Sequence, residues 1–202
     1  MTTLPTDAET DAIREAILDA AEESVIELGF DTRLHAVIAQ RAGVSRPTLY
    51  KYVGDQPAIF DALFQREIGR FFVVLEAALR DQDDQLEARF IDSIVFAVQY
   101  ARSHRLLQKG LQDNPEIAMP WFTGRAKAMI ALTVTLLTPH FETMFTAEQL
   151  AKVSPIAVSE WAFRIISSLI ITDGIVDISD EASLREFVRS LLTIAFLPAG
   201  SN

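Results

Sequence analysis

Arg46, Thr48, Tyr50, Lys51 and Tyr52 fall within one short stretch, Ser45-Arg46-Pro47-Thr48-Leu49-Tyr50-Lys51-Tyr52. Two bases, two phenols and a hydroxyl at this density can bond phosphate oxygens and base edges. The rest of the chain offers no rival chemistry. His35, His104 and His140 are the only histidines, and none stands at metal-ligand spacing from another histidine or a carboxylate. There is no Gly-rich phosphate loop. Ser167-Ser168 lies in an apolar run with no base beside it. Asp83-Asp84 and Asp180-Glu181 read as acids at helix N-termini, where the dipole favours them. Cysteine is absent, which removes disulfides and thiolate chemistry and fits a reducing compartment. Neither an enzyme nor a metal or other cofactor is expected.

The elements that must position the basic stretch are short helices. Ser45 suits an N-cap and Pro47 a first turn, so a helix begins at Arg46. Leu34–Arg41 reads as the helix before it, and Ala42-Gly43-Val44 joins the two. Two short helices joined by a Gly-containing turn make a helix-turn-helix. Ala39 is small where the helices cross, and Val44 and Leu49 face Val37 and Ile38 in a small core. Arg46, Thr48, Tyr50, Lys51 and Tyr52 are left without core duty, an arrangement that suits a major groove. A longer helix precedes the motif, with Ile13, Ile17, Ala20/Ala21, Val25 and Leu28 on one face and Gly29 as its stop.

The 202 residues carry a formal charge of −10, so a whole-chain basic signature for nucleic acid is absent. Distribution matters more. Residues 31–54 hold Arg33, Arg41, Arg46 and Lys51 against Asp31 alone, a net +3, whereas the first 30 residues have a net −7. A basic patch on an acidic body can hold a phosphate backbone while the remainder discourages indiscriminate binding.

Residues 13–64 resemble the DNA-binding domain of the TetR/AcrR family of transcriptional regulators. The resemblance rests on Ile17-Leu18-Asp19-Ala20-Ala21, Gly29-Phe30, Ile38-Ala39, Ala42-Gly43-Val44-Ser45, Thr48-Leu49-Tyr50 and Tyr52. It implies a homodimer that represses transcription from a double-stranded DNA operator until a small molecule binds a larger helical domain. The sequence departs from the family pattern at three places. Arg33-Leu34-His35 stands where Thr-Thr-Val or Thr-Ser-Val is usual, so the Thr cap is missing; Asp31 or Thr32 is expected to cap and Arg33 to take the phosphate. Val53 replaces a common Phe, and Gln56 a common base. The expected DNA contacts are Arg33, Ser45, Arg46, Pro47, Thr48, Tyr50, Lys51 and Tyr52. The departures keep open a second reading, a helical interaction or small-molecule-binding module without DNA binding.

The chain beyond the motif reads as all-α, with about nine helices in total: 57–80, 84–103, 105–112, 120–138, 147–171 and 181–196 follow the motif. The expected domains are 9–56, carrying the helix-turn-helix, and 57–198, for ligand binding and dimerisation. Twelve of the 13 Phe and both Trp fall in the latter. An apolar cavity is expected between helices 57–80, 84–103 and 120–138, with Phe64, Phe71, Phe72, Phe96, Gln99, Tyr100, Trp121, Phe122, Arg125 and Met129 around a small apolar ligand. Arg125 is the candidate for an anionic group on it.

From Ile156 to Ile171 apolar residues point nearly all round the axis, and Glu160 and Arg164 stand in the favourable order for an ion pair. This run is too short and too charged to span a membrane. Helix 181–196 carries Leu184, Phe187, Val188, Leu191 and Leu192 on one stripe. A second copy of the chain is expected to cover these helices, with Ile166 and Ile170 joining the stripe in a four-helix interface. The N-terminus has no secretory pattern, and the expected location is the cytosol.

Overall fold

The computed structural model describes residues 7–30, 33–80, 86–144, 148 and 154–195. These are all-α: no strand occurs among them. The helices are α1 (Asp7–Leu28), α2 (His35–Arg41), α3 (Arg46–Tyr52), α4 (Gln56–Arg80), α5 (Leu86–Ser103), α6 (Arg105–Asp113), α7 (Pro115–Ala118), α8 (Ala126–Met144), α9 (Pro155–Ile171) and α10 (Glu181–Ala195), with a 3-10 turn at Met119–Trp121. The chain packs as two compact units. One holds the described residues up to Phe71 with Arg105–Met119; the other holds those of Phe72–His104 and from Pro120 onward.

The first unit is built on α1. Ile17, Leu18, Ala20, Ala21 and Val25 are buried along one face, as the three- and four-residue spacing requires. They meet α2, α3 and α6. The unit extends past residue 56 because the first half of α4 is part of its core. Ile59, Phe60, Leu63 and Phe64 are buried. Phe30 lies edge-on to Phe60 at 5.0 Å and stacks on Phe64 at 6.2 Å. On the other side, α6 comes so close that a Cβ on Gly110 would lie 3.2 Å from that of Ala118 and 3.3 Å from the Phe64 ring.

Ion pairs also join α1 to α4. Glu15, Asp19 and Glu22, which the spacing puts on the wet side of α1, converge on Arg66 at 3.4, 2.7 and 2.8 Å. Arg66 also bonds Glu67 at 3.1 Å and the Leu18 carbonyl at 3.3 Å. Burial of the guanidinium would lower its pKa, but the Glu67 hydrogen bond and the charges of Glu67, Asp19 and Glu22 reverse this and raise it. Arg70 reaches Glu22 and Glu67 from one turn further along α4.

The second unit closes around α5, which packs on α9 and α10; α9 also packs on α8. Its core joins Ile91, Ile94, Val95 and Val98 of α5 to Leu184, Val188 and Leu192 of α10, with Phe90, Ile166 and Leu169 against them. Phe90 stacks on Trp161 at 5.7 Å. Asp180 caps α10 by accepting the Ser183 N–H at 2.9 Å, which accounts for the acids at this helix start.

Two helix boundaries differ from expectation. The helix expected at 120–138 is α8, which starts at Ala126 and continues through Pro139 to Met144. A proline can be carried inside a helix when the loss of one backbone bond and the ring clash are accommodated locally. Here Thr133, Thr135 and Thr138 each donate a hydroxyl to the carbonyl four residues back, a pattern that helps helices bend. Of the helix expected at 147–171, Pro155–Ile171 is α9, where Ser154 accepts the Ala157 N–H; residues 147 and 149–153 lie outside those described.

Candidate nucleic-acid interface

Local physics builds the motif. Ser45 is extended (φ −74°, ψ 153°) and accepts the Thr48 N–H at 3.2 Å, the cap that starts α3 with Pro47 in its first turn. Its hydroxyl also bonds that of Thr48 at 2.8 Å. The turn from α2 needs a left-handed residue, and Gly43 supplies it at φ +66°. Val44 then donates to the Ala39 carbonyl at 2.9 Å, locking the turn. Leu49, Ile38 and Ala39 are buried and hold the two helices together, while Val37 and Val44 are half-buried at the edge.

One anchor on α3 leaves the rest of the helix outside. Arg46, Pro47, Tyr50 and Lys51 are exposed, Tyr50 at 50%. Thr48 and Tyr52 are half-buried. Lys51 Nζ stands 5.1 Å over the Tyr52 ring, a cation–π approach that leaves the ammonium on the surface. Arg14 donates to the Tyr52 carbonyl at 3.4 Å, placing a cation at the C-terminal end of α3. The structure therefore gathers Arg46, Pro47, Tyr50 and Lys51 on one exposed face. Ser45 and Thr48 spend their hydroxyls on each other and on the cap. Arg33 is exposed just ahead of α2. Arg41, one of the four bases in the local charge count, is ion-paired with Glu27 of α1, so Arg33, Arg46 and Lys51 make up the positive charge available to a polyanion.

The missing Thr cap has a different answer from the expected one. Leu34 precedes α2 with no side-chain cap and is fully buried. Its N–H is taken by Gln56 Oε1 at 3.1 Å, and Gln56 Nε2 donates to the Phe30 carbonyl at 3.1 Å. The residue read as a lost phosphate contact is thus the clamp between the end of α1, the start of α2 and the start of α4. Asp31 and Thr32, the expected caps, lie outside the described residues. His35 stacks on Tyr50, with ring centroids 4.9 Å apart and planes 19° from parallel.

The residues expected around a ligand are divided between the two units. Phe64 belongs to the core of the first unit, with Phe30 and Phe60. Phe71 is half-buried in that same unit, and Phe72 is buried in the second. Arg125, the cation proposed for an anionic group, stands 4.6 Å over the Trp121 ring. Phe122 and Met129 are half-buried in the same unit. Tyr100 neighbours Phe96 at 6.1 Å and His104 at 5.6 Å. Phe96 and Gln99 line a cleft of about 320 Å³ with Leu75, Ala78, Val95, Asp92, Glu181 and Arg185. Its charges are paired: Arg185 bonds Asp92 and Glu181, and Gln99 donates to Glu181 at 3.2 Å. The Gln99 bond and then Arg185 hold the Glu181 carboxyl below its usual range, and Asp92 raises the Arg185 pKa.

The expected dimer stripe also divides. Leu184, Val188 and Leu192 are covered by α5 inside the same chain, and Ile166 packs against that core. The buried stripe of α10 finds its cover on α5 within the subunit. Ile170, Phe187 and Leu191 are half-buried. On α9 the outward apolar residues are Ile156, 60% exposed, Trp161 and Ile171.

A helix-turn-helix with an exposed basic second helix, carried by an all-α chain, defines a DNA-binding regulator. Comparison with known proteins agrees. Residues 17–63 match the model for bacterial regulatory proteins of the tetR family. The chain is 28% identical to an uncharacterized HTH-type transcriptional regulator of Mycobacterium tuberculosis, a match covering 92% of this chain and 88% of the relative. Its fold is similar to that of a TetR-family transcriptional regulator from Pectobacterium atrosepticum, with TM-score 0.67, 17% identity, and 98% and 100% of the two chains covered. It is also similar to the TetR-family repressor AlkX from Dietzia sp., implicated in biodegradation of n-alkanes, with TM-score 0.65, 19% identity, and 90% and 95% covered. The chain is similar to regulators of the TetR family over its helix-turn-helix and in its fold. Among the described residues no helix is long and apolar enough to cross a membrane.

Proposed function

We propose that the chain acts as a homodimeric repressor that binds a two-fold symmetric operator and is released by a small, mostly apolar molecule. The observation that carries the DNA half is the face of α3. A single buried residue, Leu49, seats the helix, and Arg46, Tyr50 and Lys51 stand clear of the protein. Lys51 is placed for phosphate, Arg46 for phosphate or a guanine edge. A dimer brings two such helices to half-sites about one helical turn, ~34 Å, apart. The surface that remains for a second copy is the outward side of α9 with Ile170, Phe187 and Leu191.

Release follows from the joint between α3 and α4. Only Val53, Gly54 and Asp55 separate them. Asp55 caps α4 by accepting the Ala58 N–H at 3.1 Å, and Gly54, at φ +101°, leaves just 3.0 Å between a would-be Cβ and that of Ala58. So little slack means that a displaced α4 carries α3 with it. The ligand's place is among the aromatic residues of the second unit. It shifts the balance by binding one dimer conformation better, with couplings typically of ~1–3 kcal/mol. A gel shift on the promoter of the protein's own gene tests the first half. Titrating candidate apolar ligands with and without that DNA tests the second: an inducer binds more weakly when DNA is present, whereas equal affinities exclude the compound.

A further inference from the structure

The DNA-binding reading leaves one contact of the motif without a role. His35, the first residue of α2, lies flat on Tyr50 of α3, with centroids 4.9 Å apart and planes 19° from parallel. Its Nε2 is buried and has no hydrogen-bond partner among the described residues. A buried ring nitrogen without a partner carries a desolvation cost, so the imidazole is not placed here for a hydrogen bond made by that atom within the protein. What it does make is the stack. Tyr50 is one of the exposed groups of α3, half covered and half free. A phenol on a surface helix samples several rotamers, and ordering it on DNA costs side-chain entropy. A ring packed on one of its faces removes that freedom before DNA arrives.

We propose that His35 is a positioning residue for DNA binding: its ring, stacked on Tyr50, holds the tyrosine in the orientation the nucleic acid meets. This rests on the reading of α3 as the DNA-contacting helix. It also accounts for an aromatic ring at the start of α2. The role belongs to the ring and not to its nitrogens or its charge.

The test uses the full-length protein and a duplex selected from a random library by the unmutated chain. If that selection enriches no sequence, the DNA-binding reading fails, and the role of His35 in it fails with it. Given such a duplex, His35→Ala is expected to weaken binding about 2- to 12-fold, the size of an aromatic pair expressed as affinity. His35→Phe, which keeps a flat ring and discards both nitrogens, is expected to bind within about twofold of the unmutated chain, and this variant also serves should the alanine variant fold poorly. In a Tyr50→Ala background, His35→Ala should have no further effect. Loss of affinity in His35→Phe would overturn the proposal by showing that a nitrogen contacts DNA. Full affinity in a folded His35→Ala, or an equal loss with and without Tyr50, would overturn it by removing the link to the tyrosine.

Discussion

Replacing Arg66 with Ala removes the centre of the ion cluster that ties α1 to α4. The Arg66 side chain is 8% exposed. Its partners Asp19 and Glu15 are more than half exposed, so water takes over their solvation and each bond contributes only ~0–1 kcal/mol. Glu67 is different. Its side chain is 9% exposed, and after the substitution Arg70, at 2.8 Å, remains as its cation. Stranding a buried charge by removing its partner costs about 3–5 kcal/mol. With Arg70 still in place, roughly half that penalty is expected, so the variant should lose about 1.5–2.5 kcal/mol. In a chain of this length that lowers Tm by ~3–10 °C. Circular dichroism melts at pH 7.5 provide the assay. A gap under ~2 °C between variant and unmutated chain would refute the assignment of Arg66 as the keystone of this packing.

Lys51→Ala should weaken DNA binding at all sequences and reduce the slope of log affinity against log salt by about one, as measured by anisotropy at several ionic strengths. Gly43→Ala should destabilise the motif by ~1–2 kcal/mol through its left-handed φ, read from the urea midpoint, because open space around its Cβ leaves backbone strain as the main term. Ile156→Lys with Ile171→Glu should convert the proposed dimer to monomers in sedimentation while leaving the melt nearly unchanged, since both side chains are exposed. Leu184→Ala, by contrast, should cost ~2–5 kcal/mol as a cavity in the core shared by α5 and α10, without a specific effect on association.

The legible part of this molecule is its short-range part. The α2–turn–α3 motif is encoded within nineteen or so residues by Ala39, Gly43, Ser45 and Leu49, whose roles depend on neighbours a few positions away. The long-range part was not legible. Gln56 looked like an absent base because its partners, Phe30 and Leu34, are 26 and 22 residues distant. Arg66 gave no signal because its acids sit 44–51 residues earlier, on what periodicity marks as the wet face of α1. The apolar stripe of α10 was read correctly as a stripe and assigned to the wrong cover. Periodicity reports that a face is buried, and Leu184 and Val188 cannot reveal from sequence whether α5 or another subunit buries it. The ligand residues show the same limit: aromatic composition finds Phe64 and Phe72 but not the separate cores that hold them.

The central claim is that the exposed face of α3 reads DNA, and the most direct measurement is selection of bound duplexes from a random library by the full-length protein, repeated with a Lys51→Ala and Arg46→Ala double variant. The expected result is enrichment of one two-fold symmetric site with half-sites ~34 Å apart, together with loss of that enrichment in the variant. A folded, unmutated protein that enriches no sequence, or a variant that enriches the same site as strongly, would contradict it.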